Sequence, residues 1–406
     1  MIMDNEIRVL VNTSTFKSNE NENISDFINV LIDNIQLQNK NIKFKILRPM
    51  GKDGKKLYQK DNYKIHSYRY FFPSKFQDFS TKGIKPSVEK NKLNLIKVLF
   101  FFISQFFSLL KISIKFKPHV IYCHWFFPQA VNAYFVSKIV KTKFVFTTHG
   151  SDVLIFNNLG KVGKFLIKKV TNASYKYTAV SDLTLNEVNK NIALEDLDKN
   201  KFKVIPMGIN GKFFDISQKK KSQDSLLKFL YIGRLIDYKG LDLLFRALAE
   251  YKKQNKLFEL NILGLGTEVG LLKKLSSKLN LDKNIKFLGF KNFNEKIKYI
   301  EDCDLFFVPS KKKKNQIEGG PLTLIEAMSM GKICIVSDSI GFRTYCNEKN
   351  SILFKSGDVE ELHKSIYLGT NLSKEEKEDM SKEAKNLSFN FRFSKIAKEH
   401  SDFFFS

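Results

Sequence analysis

Two glutamates, Glu318 and Glu326, stand eight positions apart around a predicted helix start. Gly319, Gly320 and Pro321 directly follow the first glutamate, and proline is favoured at the first position of a helix. The unpaired backbone N–H groups at such a start attract an anion. Because a helix rises ~1.5 Å per residue, the second glutamate lies about two turns further on. A phosphate flanked by two hydroxyl-binding carboxylates is what a nucleotide-sugar requires. The alternative is an ordinary amphipathic helix with a surface glutamate at each end.

A second loop, at residues 233–240, contains two cations that could bind a diphosphate. Arg234 and Lys239 lie between a predicted strand at 229–232 and a predicted helix. Arginine binds phosphate through its forked guanidinium, whereas lysine acts as a point charge. The alternative is a pair of surface cations in a lysine-rich chain.

Three other motifs have simpler explanations. We predict a short turn at Gly264 and Gly266, with a nucleotide contact as the alternative, because the third glycine of a dinucleotide fingerprint is missing. No acidic residue follows at the spacing expected for the ribose of NAD, which counts against a dehydrogenase. Asp302 and Asp304 resemble a metal-binding pair, but an aspartate commonly precedes a buried strand, and we predict no metal site. The lysine run at 311–314 is a solvated loop by default, although it could help attract phosphate.

Candidate residues in the first half of the chain are histidines at predicted strand ends. His149 directly follows the predicted strand 144–148 and precedes a Gly-Ser-Asp sequence. Ligands of open α/β sheets bind at the carboxyl ends of strands, so this histidine is better placed than most. His124 and Trp125 could line the same edge, and core packing explains them equally well.

Strands and helices alternate along both halves of the chain. This order predicts two doubly wound, parallel α/β sheets that face each other across a cleft. The polar segment 207–223 is the predicted hinge, and residues 51–90 are predicted to form a loop with short elements. The predicted strands are 7–11, 42–47, 120–123, 144–148, 175–180, 229–232, 258–263, 285–288, 305–308 and 333–336.

Composition sets limits on the class of protein. A chain of 406 residues with 43% hydrophobic residues is long enough for two folded domains. The formal charge of +26 fits nucleic acid, an anionic membrane or anionic substrates, and it could also reflect coding bias. No basic recognition module is visible, so we expect no nucleic-acid partner. The four cysteines show no C-x-x-C spacing, which favours reduced core residues in a reducing cytoplasm.

Targeting and membrane signals are weak. The first residues show no secretory signal, because acidic residues precede the first apolar run. The most apolar segment, 98–110, contains Ser104, Gln105 and Ser108 and falls short of the ~20 residues that a membrane span needs. We expect a buried or interfacial helix in a soluble or peripheral protein.

Taken together, these motifs resemble the retaining glycosyltransferases of family 4, which have the GT-B fold. The matching segments occur in the family's order, and they cover G-R-L-I-D-Y-K-G, V-P-S and E-G-G-P-L-T-L-I-E-A-M-S-M-G in the second half. The five matching segments are residues 148–153, 204–210, 233–240, 308–310 and 318–331.

The resemblance implies a role for each matched position. Arg234 and Lys239 would bind the donor diphosphate, with backbone N–H groups of residues 320–322 on the distal phosphate. Glu318 would bind hydroxyls of the transferred sugar, and Glu326 those of the ribose. The implied catalytic residues are His149, Arg234, Lys239 and Glu318. The implied donor-binding residues are Gly233, Gly289, Gly319, Gly320, Pro321, Leu322, Thr323 and Glu326, with Gly289 beside the base. Weaker implied contacts on the acceptor side are Asp152 and His124.

The resemblance also implies the organisation and activity of the whole chain. Residues 1–207 would form an acceptor-side domain, 208–388 a nucleotide-sugar-binding domain, and 389–406 a helix that crosses back to the first domain. A UDP- or GDP-sugar would donate a sugar to a glycan or lipid-linked acceptor in bacterial surface polysaccharide or glycolipid synthesis, without a metal or cofactor. The protein would be cytoplasmic, with a peripheral contact to the inner face of the membrane. The alternative is a non-catalytic nucleotide-sugar-binding subunit of a glycan-assembly complex. The loop 12–25 lacks the glycines common in the family, which leaves the acceptor contacts unassigned.

Overall fold

The two halves of the chain fold as separate α/β units. Unit 1 comprises Met1–Pro206 and Phe393–Ser406, and unit 2 comprises Met207–Arg392. The computed structural model describes residues 6–18, 22, 24, 26–51, 54–59, 62–82, 84, 87–88, 91–192, 197–216, 226–311, 322–338 and 341–405.

Unit 1 is built on a sheet of eight described strands in the order β3-β4-β2-β1-β5-β6-β7-β8. Only the short edge strand β3 runs antiparallel to its neighbour. The central strands are apolar on both faces because helices cover both sides of the sheet. The strands are β1 Ile7–Asn12, β2 Ile42–Pro49, β3 Leu57–Gln59, β4 Lys64–Tyr68, β5 Val120–His124, β6 Lys143–Thr148, β7 Lys176–Ala179 and β8 Phe202–Val204.

The described helices of unit 1 pack in two layers, one on each face of its sheet. One layer buries residues of α1 and α14 against the sheet, and the other buries residues of α3, α4, α5 and α6. Their bounds are α1 Phe27–Gln38, α2 Phe79–Lys82, α3 Asn94–Phe116, α4 Val131–Val140, α5 Ser151–Asn157, α6 Gly160–Ala173, α7 Asp182–Asn189 and α14 Phe393–Phe404.

Unit 2 has a sheet of six described strands in the order β11-β10-β9-β12-β13-β14, all parallel. The strands are β9 Leu227–Ile232, β10 Phe258–Leu263, β11 Ile285–Gly289, β12 Leu305–Val308, β13 Ile333–Asp338 and β14 Ile352–Lys355. The helices are α8 Leu241–Lys252, α9 Val269–Lys278, α10 Phe293–Asp302, α11 Leu322–Ser329, α12 Val359–Asn371 and α13 Lys374–Ser388.

The prediction of two parallel, doubly wound sheets is confirmed, while several element bounds differ. The segment 51–90 contains strands β3 and β4, which pair at the sheet edge and carry alternating polar residues. The predicted terminal helix is interrupted near Arg392, whose extended backbone separates a short turn at Phe389–Phe391 from α14. The four cysteines are buried free thiols, as predicted.

Candidate functional site

Three glycine-containing loops meet at the carboxyl edge of the unit 2 sheet. The Gly233 N–H donates to the Leu263 carbonyl oxygen at 3.0 Å, and the Gly264 N–H donates to the Gly289 carbonyl oxygen at 2.8 Å. Gly264 has φ +147°, and a Cβ placed there would lie 1.8 Å from the Gly233 oxygen. Only glycine permits this approach. The loops after β9, β10 and β11 therefore form one backbone surface that includes the predicted residues Gly233 and Gly289.

The loop 233–240 is fixed against the end of strand β12. Gly240 has φ +73°, and a Cβ there would lie 1.9 Å from the Pro309 carbonyl oxygen. The Lys311 N–H donates to the Tyr238 carbonyl oxygen at 2.7 Å, and Lys311 Nζ lies 2.7 Å from an Asp242 carboxylate oxygen. Lys311 therefore holds the loop in place, while the other lysines of the run lie outside the described residues.

Both predicted phosphate-binding cations contact Tyr238. Arg234 is exposed, and its Nη2 donates a hydrogen bond to the Tyr238 hydroxyl at 3.0 Å. Lys239 is half-buried, and its Nζ lies 5.5 Å from the centroid of the Tyr238 ring. A guanidinium and an ammonium in one loop are suited to bind a diphosphate. The structure thus brings Arg234 and Lys239 together at the carboxyl edge of unit 2.

Glu326 is almost completely buried and paired with a lysine that sequence reasoning missed. The glutamate is 8% exposed, and Lys296 Nζ lies 2.7 Å from its Oε1. The lysine comes from α10, and its ammonium lies 5.0 Å from the ring centroid of Phe213 and 5.8 Å from that of Phe293. A buried carboxylate needs such a partner, because burial without one is costly. The pair fixes where the Glu326 carboxylate points.

The start of helix α11 is attached to the end of strand β9. The Thr323 hydroxyl donates to the Ile232 carbonyl oxygen at 3.2 Å. The described helix begins at Leu322, directly after the predicted start. The predicted residues Glu318, Gly319, Gly320 and Pro321 lie outside the described residues.

The Asp302 and Asp304 carboxylates, which resemble a metal pair, both contact Lys228. Asp304 Oδ2 accepts the Lys228 N–H at 2.8 Å, and Asp302 Oδ2 lies 2.8 Å from Lys228 Nζ. These contacts connect the start of β12 to β9 and give both aspartates a structural role.

In unit 1, His149 and His124 stack at the carboxyl ends of neighbouring strands. His124 Nδ1 lies 3.3 Å from His149 Nε2, and their ring centroids are 5.5 Å apart. The half-buried His149 also packs against Trp125 at 4.9 Å and Phe27 at 5.3 Å between ring centroids. Since His124 occupies Nε2 of His149, the other ring nitrogen, Nδ1, is the one on which a ligand contact would depend. The predicted contact of His149 with the sugar stays a prediction.

Asp152 is buried and bonded within unit 1. Its Oδ2 accepts the Phe126 N–H at 2.6 Å, and its Oδ1 accepts the Thr148 hydroxyl at 2.8 Å. Burial raises the pKa of this carboxyl, and the two hydrogen bonds partly offset that increase. The structure gives Asp152 the role of fixing the loop after β5 to the end of β6, and its acceptor contact stays a prediction.

The histidine cluster extends to the last helix. Tyr122 Oη lies 3.2 Å from His400 Nδ1 on α14, and Tyr122 also stacks on His124 at 4.5 Å between ring centroids. Burial lowers the pKa of His149 and of His400 to about 3, and lowers that of His124 well below its ordinary value. All three rings are therefore neutral in the folded protein at neutral pH.

We expect unit 1 to lose stability as the pH falls below about 6.5, the pKa of an unfolded histidine. In that range the unfolded chain binds protons that the folded cluster excludes, so the stabilisation present above this pH is lost progressively toward pH 3. Each histidine contributes up to ~1.4 kcal/mol per pH unit. Urea unfolding followed by the fluorescence of Trp125, the single tryptophan, reports unit 1 alone.

A substitution within the cluster tests this prediction. In His400→Phe, the number of protons taken up on unfolding, given by the slope of the unfolding free energy against pH, should fall by about one. His363→Asn, in unit 2, should leave the unfolding free energy reported by Trp125 unchanged at each pH. An unfolding free energy that is independent of pH between 7 and 5, or a slope unaltered in His400→Phe, would contradict it.

Comparison with known proteins identifies the family of this chain. The model for Glycosyl transferases group 1 matches residues 212–387, and the model for Glycosyltransferase Family 4 matches residues 59–212. Together the two matches span most of the chain. The chain belongs to the family 4 (group 1) glycosyltransferases. The resemblance seen in the motifs is thereby confirmed.

Relatives of this family 4 protein include several proteins of bacterial polysaccharide synthesis. The amylovoran biosynthesis glycosyltransferase AmsK of Erwinia amylovora is 32% identical over 145 residues, which is 35% of either chain. The uncharacterized glycosyltransferase MJ1069 of Methanocaldococcus jannaschii is 27% identical over 296 residues, covering 69% of this chain and 72% of its own. The chain thus matches only about a third of the amylovoran protein's length.

Solved structures show that this family 4 protein has the GT-B fold, as predicted. HepE from Anabaena, solved in complex with UDP and glucose, aligns with a TM-score of 0.69 over 98% of both chains at 16% identity. A sucrose-phosphate synthase from Thermosynechococcus elongatus aligns with a TM-score of 0.71 over 97% of this chain at 14% identity.

Proposed function

We propose that this family 4 protein transfers a sugar from a UDP- or GDP-sugar to a glycan or lipid-linked acceptor. The proposed setting is the synthesis of a bacterial surface polysaccharide or glycolipid. Family membership supports the reaction class. Relatives named for amylovoran, colanic acid and teichuronic acid synthesis support the setting.

The observation that carries the proposal is the placement of Arg234 and Lys239 at one tyrosine beside a glycine-lined sheet edge. A diphosphate binds where cations lie at the carboxyl edge of an open α/β sheet. Arg234 and Lys239 lie in the loop after β9, which forms one backbone surface with the loops after β10 and β11. Helix α11, which contains Glu326, is attached to the same edge through Thr323. A carboxylate on this helix is suited to accept hydrogen bonds from ribose hydroxyls.

The proposed chemistry follows from the charge that develops on the leaving group. As the bond between the anomeric carbon and the diphosphate oxygen breaks, negative charge grows on that oxygen. Arg234 and Lys239 would stabilise it, each well-aimed donor contributing roughly 3 kcal/mol, so the proposal requires no metal. The acceptor hydroxyl forms the new bond on the same face of the sugar and gives its proton to the leaving phosphate. The anomeric configuration is then retained, and we assign no protein nucleophile.

The proposed location is the inner face of the cell membrane, where a lipid-linked acceptor is available to a cytoplasmic protein. The formal charge of +26 supports attraction to an anionic surface. We propose no nucleic-acid partner and no cofactor, since the nucleotide-sugar is a substrate.

A thermal-shift screen of UDP- and GDP-sugars tests the proposal. One donor should raise the melting temperature, because a ligand that binds only the folded state stabilises it. That donor should then be consumed when a suitable acceptor is added. Donor binding without hydrolysis or transfer across an acceptor panel would instead support the non-catalytic binding subunit.

A further inference from the structure

Helix α3 (Asn94–Phe116) exposes an apolar stripe, where a surface helix usually exposes polar residues. A surface helix normally buries its apolar stripe and exposes its polar one. Here the buried residues include Gln105 and Ser113, and the Gln105 amide donates to the Tyr68 hydroxyl at 3.0 Å. Between residues 94 and 108 the exposed residues are all apolar, between 40% and 63% exposed: Leu95, Ile96, Leu99, Phe100, Ile103 and Phe107. We call these six residues the α3 surface.

The α3 surface is continuous with aromatic residues that precede the helix. The Phe100 ring lies 6.0 Å from that of Phe71, and Lys97 Nζ lies 5.5 Å from the ring centroid of Phe76. Phe72 is 76% exposed in the same segment. A contiguous apolar patch of this kind marks an interaction site on a folded protein.

The charges on helix α3 itself are of one sign. The helix contains Lys97, Lys111 and Lys115 and no acidic residue, and Lys92 and Lys117 flank it in the sequence. An apolar stripe bordered by lysines is complementary to a bilayer with anionic headgroups. A second copy of the chain would face these lysines with its own, which disfavours self-association through this surface.

The packing of α3 distinguishes lying on a membrane from crossing one. By length and composition alone, this 23-residue helix could span a bilayer. However, Phe101 and Leu109 are fully buried in the core of unit 1, and Asn132 donates to the Gln105 side-chain oxygen at 2.9 Å. A spanning orientation would remove these contacts and expose one face of the sheet.

We propose that α3 lies in the plane of an anionic bilayer, with the α3 surface inserted among the acyl chains and the flanking lysines at the lipid phosphates. The inference extends the proposed function, since an anionic bilayer is the partner from which a lipid-linked acceptor is presented. Binding of α3 to the bilayer does not depend on the proposed function, whereas the presence of a lipid-linked acceptor in that bilayer does.

Vesicle co-sedimentation tests the apolar part of the surface. The wild-type protein is mixed with vesicles of phosphatidylcholine alone or of phosphatidylcholine with phosphatidylglycerol. The variant Leu99→Gln/Phe107→Gln removes two side chains that are 57% and 63% exposed, and the matched control Leu257→Gln/Leu271→Gln removes two of 63% and 61% in unit 2. We expect partition into the anionic vesicles to fall about tenfold or more in the α3 variant and to stay unchanged in the control.

The contribution of the lysines to vesicle binding is tested with a second variant and a matched control. Lys111 and Lys115 are exposed on α3 with a spacing of four residues, as are Lys274 and Lys278 on α9. Replacing the α3 pair with glutamine should weaken binding about fivefold per lysine, and replacing the α9 pair should have little effect. Binding should also weaken as the salt concentration rises.

A calorimetric titration with the nucleotide-sugar, without vesicles, separates this inference from the proposed function. Every variant should bind the donor as the wild-type protein does, because none of the substituted residues lies in the candidate site. The proposal is overturned if the wild-type protein does not bind anionic vesicles, or if Leu99→Gln/Phe107→Gln binds them equally well. A concentration-dependent dimer that the same substitutions abolish, without vesicle binding, would show that a second copy covers the surface.

Discussion

Lys239→Ala is expected to lower kcat for sugar transfer by about 10²- to 10³-fold, the usual cost of removing one donor that stabilises developing negative charge. The half-buried ammonium lies at the loop 233–240, which Gly240 and Pro309 hold in close contact. Because backbone contacts fix the loop, the alanine substitution should remove the charge without moving the loop. The measurement is the steady-state rate of nucleoside diphosphate release with saturating donor and acceptor.

Two further variants make this first prediction specific. Arg234→Ala should cause a loss of similar size, since its guanidinium contacts the same Tyr238 side chain. Lys256→Ala removes an exposed lysine two residues before β10, at the opposite edge of the same sheet, and should leave the rate unchanged. Equal rates for Lys239→Ala, Arg234→Ala and the wild-type protein would remove both cations from the proposed mechanism.

Glu326→Gln is expected to lower kcat/KM for the donor by about 10- to 100-fold, because hydrogen bonds to a charged group contribute roughly 1.5–3 kcal/mol. The carboxylate is held 2.7 Å from Lys296 Nζ, so glutamine would occupy nearly the same position without the charge. The loss should appear mainly in KM if Glu326 binds ribose hydroxyls equally in ground and transition states.

A double-mutant cycle separates the role of the Glu326 carboxylate in donor binding from its role in stability. Lys296→Met leaves a buried carboxylate without this lysine and should destabilise unit 2 by about 3 kcal/mol. Adding Glu326→Gln should restore part of that stability but none of the lost donor affinity. If the double variant recovered donor affinity together with stability, Glu326 would be only a structural residue.

The sequence alone identified the sheet edge of the candidate site because its signals are local. A glycine or a cation directly after an apolar run already lies at the carboxyl end of a strand. Gly233 and Arg234 were placed by this rule, whereas Gly289 was implied by the family resemblance. The pairing of Glu326 with Lys296 could not be predicted, since thirty residues separate the two and α10 carries a second lysine, Lys298. Long-range pairs of this kind are set by how helices pack on the sheet.

The sequence predicts a helix near residues 93–112, close to the observed Asn94–Phe116, but not which of its faces is exposed. Ser104, Gln105 and Ser108 interrupt the apolar run in the sequence. Gln105 lies on the inner side, where Tyr68 and Asn132 bond it, so it does not interrupt the outer stripe. Which face of an apolar helix is outward is decided by the unit it packs on, not by its own composition.

The most direct test of the central claim is a calorimetric titration of UDP and GDP, in the presence of a metal chelator, into wild-type protein, Arg234→Ala/Lys239→Ala and Lys256→Ala. We predict that one of the two nucleotides binds the wild-type protein and Lys256→Ala equally, and binds the Arg234→Ala/Lys239→Ala variant at least about tenfold more weakly. The proposed diphosphate site would be ruled out if neither nucleotide bound, with or without metal, or if the double variant bound as tightly as the wild-type protein.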